Sequence, residues 1–353
     1  MKVNNWKFSW INSWEEIKST TFYLQWQSWY EQSTDPTVFN HPLLNKIWIE
    51  TYLDLRKIDP HFCIAENKGT LVIFPLILWT RNWKNLFQKL LIPVGYSDYD
   101  YNSPLLINPT PEFSWPEFWQ NFLNYLINKR PIPFDQVIIP GIPEEISGKG
   151  LNWSFYDISP QLELEPYYHT FDILDKLPAS LRGDIRRQIR KLEKLGILNY
   201  IELIDINDAL KELPSFLWNH KIRWPEAYKA PGFHEQLILN CLSLGLVHFS
   251  VLKISDESIS WHLGFNDSKT FYYYMPAYNA DYASYSPGKI HLKFLIESAI
   301  VQHNLTFDHL RGVEKYKVGW ANRKIIIFST SYINKSIRSR FINCLLEVKT
   351  SYL

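Results

Sequence analysis

The sequence predicts an α+β protein built from two similar domains in tandem. Its 353 residues suggest two domains, since a domain averages roughly 150 residues. The predicted order of helices and strands in the first half recurs in the second. Asp98-Tyr99 is followed after three residues by Ser103-Pro104, and the same spacing separates Asp281-Tyr282 from Ser286-Pro287. Both motifs are expected to follow a strand pair and precede a helix, which favours a duplication. Two unrelated turns are the alternative, because Ser and Pro are common turn residues.

The first half begins with helical patterns and continues with strands. Apolar residues at helical spacing predict helices over residues 13–30, 40–56 and 113–129. Runs rich in β-branched and aromatic residues predict strands in HFCIAE, GTLVIFPLILW, NLFQKLLIPVG and DQVIIP. Residues 141–166 are rich in Pro, Gly and Ser, which is typical of a domain boundary. We therefore assign residues 1–155 to an N-terminal domain and 156–353 to a C-terminal domain.

The second half repeats this order. Residues 177–196 form a strong helical pattern with Gly196 as the expected C-cap. A strand and two helices follow, and then three strand-like runs, LVHFSVLKI, SISWHLGF and TFYYYMPAY. A helix is predicted from Ser286, followed by the strand TFDHLRG, a short helix in VEKYKVGWAN and the strand KIIIFSTSYI. The tail over 335–353 is predicted to be a basic helix.

Composition excludes several classes of protein. The chain is 46% hydrophobic, 21% charged and 16% aromatic, with a net charge of +1, so a disordered tail, a collagen and a coiled coil are excluded. The near-neutral charge gives no field that favours DNA or an anionic membrane. Cys63, Cys241 and Cys344 lie far apart, which fits a reducing compartment and argues against a zinc cluster. The opening residues contain no apolar signal-peptide core, and the longest apolar run, Leu71–Trp79, is too short to span a bilayer. We expect a cytoplasmic protein without a membrane span or a metal.

The two related motifs differ in the residues on their C-terminal side. Ser286-Pro287 continues into Gly288 and Lys289, whereas Ser103-Pro104 continues into two leucines. Free N–H groups at a helix N-terminus, with a Gly that allows close approach and a Lys that adds charge, are typical of an anion site. The structural alternative is a Pro at the first helical position with a Gly that eases the turn.

Residues 261–320 resemble the CelD/BcsL-like, FemAB-related branch of the GNAT acyltransferase superfamily. The matching segments are WHLGF from Trp261, YYYMPAYNADYASYSPGKIHL from Tyr272 and FDHLRGVEKYKVGW from Phe307. Weaker likeness extends into the N-terminal half. The sequence departs from the family pattern at Asn279, where Asp is usual, and at Val313, which separates a Gly from its acidic partner.

The resemblance implies tandem GNAT-like domains, each with a mixed, mostly antiparallel sheet flanked by helices. The C-terminal domain would be catalytic and the N-terminal domain non-catalytic. The implied reaction moves an acyl group from acyl-CoA, or from another acyl-pantetheine such as an acyl carrier protein, to an amine of a peptide or a small molecule. The residues expected to hold the thioester co-substrate are Phe271, Tyr272, Tyr273, Tyr274, Tyr285, Ser286, Gly288, Lys289, Ile290 and Lys317.

Three side chains are candidates for catalysis. Alternation along the strand puts His262 and Gly264 on one face, so His262 is a candidate base whose ordinary pKa predicts a pH limb near 6 to 7. Asp308, at the end of a strand, is expected to orient or deprotonate the amine. Tyr316 is expected to protonate the departing thiolate, as the resemblance implies. The structural alternatives are a half-buried His, an Asp in an ion pair or helix cap, and a Tyr at the edge of a core.

The sequence leaves other functions open. The basic helix, with Arg182, Arg186, Arg187, Arg190, Lys191 and Lys194, predicts either a solvated face or a dock for an anionic partner. The partner would be a carrier protein, an acidic peptide or tRNA, and tRNA would fit a Fem-like peptidyl transferase that uses aminoacyl-tRNA. A GNAT-fold binding module without catalysis is the third interpretation. Dense aromatic residues on the strands before Ser286 favour a fatty acyl donor and a peptide acceptor, unless these rings fill the cores.

Overall fold

The computed structural model describes residues 6–83, 86–148, 152–169, 172–227 and 230–350. The chain forms two compact units. Unit 1 comprises residues 1–157 and 326–353, and unit 2 comprises residues 158–325. The chain passes from unit 1 to unit 2 after residue 157, close to the domain boundary expected from the sequence. Residues 326–353, which the sequence assigns to the C-terminal domain, instead return to unit 1, because their strand and helix dock on residues far upstream.

Unit 1 contains a mixed sheet with one short accessory strand. Its strands, numbered in chain order, are β1 (Lys7–Ile11), β2 (Ile58–Asn67), β3 (Thr70–Trp83), β4 (Leu86–Pro93), β5 (Leu105–Ile107), β6 (Gln136–Pro143) and β13 (Arg323–Ile333). Their order is β1-β2-β3-β4-β6-β13, and β5 pairs with β3. Only β4 and β6 run parallel among these pairs, so the sheet is mostly antiparallel, as predicted.

Helices cover both faces of this sheet. They are α1 (Trp14–Ile17), α2 (Thr20–Gln32), α3 (Pro42–Leu55), α4 (Trp115–Lys129), α5 (Glu144–Ser147) and α11 (Ile337–Thr350). The single helix predicted over 13–30 is divided, because the Ser19 side chain caps a new helix by accepting from the Phe22 N–H. On one face α4 buries Trp119 against Phe74, and on the other face α2 packs Trp26 on Phe62, with ring centroids 4.8 Å apart.

A short strand separates the first turn motif from the next helix. Pro104 is followed directly by β5, which pairs with β3, and α4 begins only at Trp115. The sequence patterns do not predict this strand between the first motif and the helix that follows it. Leu105 and Leu106 are buried in this strand, so two apolar residues after the turn lead to sheet pairing in place of helix formation.

Unit 2 has its own mixed set of sheet strands. Its strands are β7 (Ser154–Glu163), β8 (Leu198–Glu202), β9 (Val247–Ile254), β10 (Glu257–Asn266), β11 (Thr270–Tyr278) and β12 (Thr306–Asp308). They are ordered β7-β12-β11-β10-β9-β8. Only β11 and β12 run parallel in this set, so these strands are also mostly antiparallel.

Helices flank both faces of these strands. The helices of unit 2 are α6 (Ala179–Leu192), α7 (Ile206–Arg223), α8 (Phe233–Cys241), α9 (Pro287–Val301) and α10 (Lys315–Val318). The helices α6 and α9 share a core with β11, while α7 and α8 pack on the other face. The expected C-cap Gly196 is not one, because α6 ends at Leu192 with Glu193 as its cap. An added Cβ at Gly196 would lie 2.6 Å from Ser255 Oγ, so this Gly permits a close approach to a neighbouring turn.

Candidate functional site

In unit 2, β11 extends beyond the end of the neighbouring strand β12. Parallel pairing between β11 and β12 stops at Tyr272 opposite Asp308. The strand β11 continues to Tyr278 with β10 on its other side. Within the described residues, the β12 side of β11 therefore has no strand partner from Tyr273 onward. An open strand edge offers backbone N–H and C=O groups to a ligand.

A pocket of about 170 Å³ lies at this open edge. The end of α7, the second half of β11, the turn after it, the first turn of α9 and α10 all contribute to its wall. The lining residues are Arg223, Trp224, Tyr273, Pro276, Ala277, Tyr278, Ala283, Ser286, Gly288, Lys289 and Tyr316. Within unit 2, elements distant in sequence thus meet at one concave site.

The first turn of α9 presents the predicted anion site to this pocket. Ser286 has a left-handed backbone with φ of 52° and precedes Pro287, the first residue of α9. A Cβ added at Gly288 would meet only Tyr278 Cδ1, at 3.7 Å, so the absence of a side chain leaves room on the pocket side. Lys289 also lines the pocket, and its Nζ lies 3.0 Å from Asp184 Oδ2. Ser286, Gly288 and Lys289 therefore lie together where the sequence expects a phosphate.

Two other residues expected in this loop face elsewhere. The Ile290 side chain is fully buried in a core cluster. The ring of Tyr285 packs against the same cluster, next to Tyr282. Neither side chain lines the pocket, because the helical turn directs both toward the sheet.

The expected ligand-pairing segment of β11 shifts toward the carboxyl end. Phe271 and Tyr272 are buried, and both pair with β10 and β12, so their backbone is already engaged. Tyr274 packs on the other face of the sheet, 4.8 Å from Phe265 between ring centroids. Tyr273 lines the pocket. Of residues 271–274, only Tyr273 therefore lines the pocket on the open edge of β11.

Arg223 is a pocket residue that the sequence reasoning missed. Its Nη1–H donates to the Tyr278 hydroxyl over 2.6 Å. Its guanidinium carbon lies 5.0 Å from the Trp224 ring centroid and 4.9 Å from that of Tyr278. These contacts hold the cation at the pocket. An Arg-Trp pair at the end of an amphipathic helix was the available signal, but the pairing with a residue of β11 is visible only in three dimensions.

Tyr316 lies in the pocket beside Tyr273. Their ring centroids are 6.4 Å apart and their hydroxyls are hydrogen-bonded. Burial, then the nearby Glu314 carboxylate, raises the pKa of Tyr316 well above its ordinary value, while the Arg223 charge opposes this rise. Burial likewise raises the pKa of Tyr273. Both side chains therefore stay protonated at neutral pH and can act as hydrogen-bond donors.

Lys317 points away from the pocket into the fold. It is buried, and its Nζ donates to the Arg311 carbonyl over 2.8 Å and pairs with Glu314 Oε2 at 3.1 Å. These contacts fix the loop between β12 and α10. The expected contact with a cofactor phosphate is therefore not supported, because this buried side chain does not line the pocket.

His262 is a core residue in this structure. Its ring is 1% exposed and stacks on Tyr273, with centroids 4.6 Å apart. Burial, then the charges of His291 and His248, holds its pKa well below the ordinary value. The closeness expected at Gly264 is to the protein itself, because an added Cβ would meet His262 Cε1 and the Tyr272 carbonyl, each at 2.6 Å. A pH limb near 6 to 7 from His262 is therefore no longer expected.

Asp308 anchors one strand to another. It is 1% exposed and accepts hydrogen bonds from Ser159 Oγ at 2.6 Å and Gln161 Nε2 at 2.7 Å, both on β7. It also accepts from the Leu310 N–H at 2.7 Å, where the backbone has a left-handed φ of 57°. The carboxylate thus holds the end of β12, and it does not line the pocket. The role predicted for it at the acceptor amine is not supported.

The basic helix carries its own counter-ions. Arg186 pairs with Asp172 and Asp175, and Arg187 pairs with Asp184. These partners favour the interpretation of a solvated face. The aromatic residues that suggested a fatty acyl tunnel are also largely structural, since Trp261, Phe265, Phe271 and Tyr272 are buried.

The described residues contain neither a metal-binding group nor a membrane-spanning helix. No group of three or more His, Cys, Asp or Glu side chains there is arranged to hold a metal ion. None of the helices so described is both long and apolar enough to cross a lipid bilayer.

Comparison with known proteins identifies the domain that carries this pocket. Residues 179–318 match the family described as the acetyltransferase (GNAT) domain. Curated proteins provide no match to the sequence. The resemblance to the GNAT superfamily and the acyltransferase class predicted from the sequence are thereby confirmed.

Solved structures share the fold at low sequence identity. FemX is 9% identical with a TM-score of 0.58, covering 88% of this chain and 96% of its own. A C-terminal domain from Agrobacterium fabrum, described as that of a putative lysylphosphatidylglycerol synthetase, is 10% identical with a TM-score of 0.55 and coverages of 94% and 97%. A tandem GNAT protein from the clavulanic acid biosynthesis pathway is 8% identical with a TM-score of 0.50 and coverages of 93% and 98%. The predicted tandem GNAT-like fold is confirmed.

Proposed function

We propose that unit 2 transfers an acyl group from a pantetheine thioester, such as acyl-CoA, to an amine that binds in the pocket at the open edge of β11. One observation carries this proposal: the open edge and the first turn of α9, with Gly288 and Lys289, line the same pocket. The backbone from Tyr273 can pair with the amides of a pantetheine arm. The Gly288 N–H at the start of α9 and the Lys289 ammonium favour the donor's phosphates, while the backbone N–H groups of Lys289 and Ile290 donate to the Ser286 carbonyl. The bound donor supplies an activated acyl carbon.

The amine must reach the acyl carbon without its extra proton. A lysine-like amine has a pKa of about 10.4 and is mostly charged at neutral pH. The described pocket wall contains no carboxylate and no histidine, so the amine loses that proton to solvent before it attacks. The expected rate therefore rises with pH until the acceptor amine is neutral, and it follows the acceptor's own pKa.

Tyr316 is proposed to stabilise the departing sulfur. The new C–N bond forms as the C–S bond breaks, and the sulfur leaves with the bonding electron pair. A thiol has a pKa of about 8.5, below that of the Tyr316 phenol, so full proton transfer from Tyr316 is unfavourable. Tyr316 instead donates a hydrogen bond to the sulfur, and the proton that the sulfur finally takes comes from the attacking nitrogen.

The finer assignments belong to the same proposal. Unit 1 is proposed to be non-catalytic, because the loop that corresponds to the donor site is packed into its core. Buried free thiols at Cys63 and Cys241 fit a reducing, cytoplasmic setting. The acceptor is proposed to be a peptide or small-molecule amine. A fatty acyl donor stays a prediction, and a chain-length series of donors with one amine acceptor tests it.

Native mass spectrometry with acyl-CoAs, acyl carrier proteins and aminoacyl-tRNAs tests the donor. We expect a complex with a pantetheine thioester. Tyr316→Phe should bind this donor normally and lower turnover about ten- to a hundredfold, as expected for the loss of a hydrogen bond to a charged group. Val318→Ala, at an exposed position of α10, is the matched control. Binding of aminoacyl-tRNA without any pantetheine thioester would favour the Fem-like alternative and overturn the proposal.

A further inference from the structure

We propose that Arg223 binds a carboxylate carried by the acceptor amine, an assignment that deepens the acyl-transfer proposal and rests on it. Arg223 is the last residue of α7 and lines the pocket. Its guanidinium is held in one orientation by the hydrogen bond to Tyr278 and by the rings of Trp224 and Tyr278. A guanidinium that is already oriented loses little side-chain freedom when it binds a carboxylate in a fork geometry.

The guanidinium also has donors to spare. Arginine carries five N–H donors, and the described contacts use one of them, toward the Tyr278 hydroxyl. In the described chain, no carboxylate pairs with Arg223. The other cations near the site differ, since Lys289 pairs with Asp184 and Lys317 with Glu314. Arg223 is thus the pocket cation whose counter-ion is left for a ligand to provide.

The position of Arg223 favours the acceptor over the donor as the source of this anion. Lys289 and the α9 N-terminus form the proposed phosphate site, where a Cβ at Gly288 would approach Tyr278 Cδ1, whereas Arg223 donates to the hydroxyl at the other end of the Tyr278 ring. Arg223 shares the pocket wall with Tyr273 and Tyr316, and its charge opposes the rise in the pKa of both hydroxyls. Since Tyr316 is proposed to contact the departing sulfur, an anion on Arg223 lies at the reacting end, where the acceptor binds.

The test compares acceptors that differ only in the carboxylate. Glycylglycine and glycylglycinamide present the same α-amine, and the donor is the acyl-CoA that the wild-type protein uses. Arg223→Met should lower kcat/KM for glycylglycine about ten- to a hundredfold, mainly through KM, and should leave glycylglycinamide nearly unchanged. Arg223→Lys should retain part of the preference. Lys221→Met removes the same charge from an exposed position of α7 and should change neither acceptor.

Several outcomes would overturn the assignment. An equal loss for both dipeptides would mean that Arg223 only supports the fold, which thermal unfolding of Arg223→Met checks. A loss of affinity for acyl-CoA, but not for the phosphate-free acyl-pantetheine, would assign the anion to the donor. If the wild type acylates neither dipeptide, calorimetry in the presence of CoA still decides, because a carboxylate preference that Arg223→Met abolishes supports the assignment. An absence of preference in calorimetry contradicts it. Failure of the proposed function is seen separately, as the absence of transfer from any thioester.

Discussion

The same four-residue pattern forms a buried turn in unit 1 and a turn at the edge of the pocket in unit 2. In unit 1, Asp98 is 5% exposed and accepts hydrogen bonds from Trp48 Nε1, Tyr52 Oη and Ser97 Oγ at 2.7 to 2.8 Å. In unit 2, Asp281 is exposed and Tyr282 lies half-buried, with its hydroxyl on Glu257.

The chain beyond each motif diverges as well. Pro104 leads into β5, whereas Pro287 begins α9. Ser103 is buried and its carbonyl accepts from Asn40 Nδ2 at 2.7 Å, while Ser286 lines the pocket. A turn motif thus specifies a change of direction, and the residues beyond it decide whether its polar groups are used internally or offered to a ligand.

Acidification should affect unit 2 more than unit 1, and this is the largest effect we expect. His262, His291 and His309 of unit 2 are buried, and burial lowers the pKa of His262 well below 6.5 and those of His291 and His309 to about 3. In unit 1, partial burial lowers the pKa of His41 to about 4 and also lowers that of His61. Below an unfolded pKa of about 6.5 the unfolded chain binds protons that these folded rings do not, so stability is present above pH 6.5 and falls as pH decreases. Each such ring costs about 1.4 kcal/mol per pH unit until its folded pKa is reached.

Urea unfolding from pH 7.5 to 5.0, with hydrogen exchange to separate the units, measures this slope. His262→Phe should flatten it while keeping a ring against Tyr273, and His169→Gln, at an exposed position, should not. Equal pH dependences of stability in the two units would contradict this prediction.

Removal of the Asp98 carboxylate should lower the free energy of unfolding far more than removal of the Asp281 carboxylate. Asp98→Ala leaves the buried Trp48 and Tyr52 donors and the exposed Ser97 hydroxyl without their acceptor, so we expect a loss of about 3 kcal/mol in the free energy of unfolding. Asp281→Ala should change it by less than about 0.5 kcal/mol, as is usual at the surface. Chemical denaturation of both variants measures the contrast, and similar losses would show that the unit 1 turn is not held by its carboxylate.

The smallest expected effect concerns the glycine that distinguishes the second motif. Gly288→Val should weaken the thioester donor by more than tenfold, about 1.4 kcal/mol, because a side chain would occupy the room next to the first turn of α9. The melting temperature should stay close to that of the wild type, since Gly288 lacks a left-handed φ and an added Cβ makes only an ordinary contact. Gly183→Val is the matched control, as no atom lies within 4 Å of a Cβ built there. Donor affinity that is unchanged in calorimetry would contradict the assignment of Gly288.

The sequence by itself determined the local features of this protein and the superfamily of its second unit. Helical and alternating spacing predicted most helices and strands, because each pattern depends on residues within a few positions. The start of α9 was predictable for the same reason, since Ser286, Pro287 and Gly288 are consecutive. The resemblance carried by Trp261 to Trp320 led to the fold and the acyltransferase class, which no single element specifies.

Only the tertiary structure decided which of these residues reach the pocket. His262 and Asp308 have the chemistry of a base, but packing against Tyr273 and hydrogen bonds from β7 bury them in the fold. Arg223 lacked any motif, yet the end of α7 brings it to Tyr278, 55 positions later in the chain. Burial and pairing of this kind depend on contacts between distant segments, and local spacing contains no information about them.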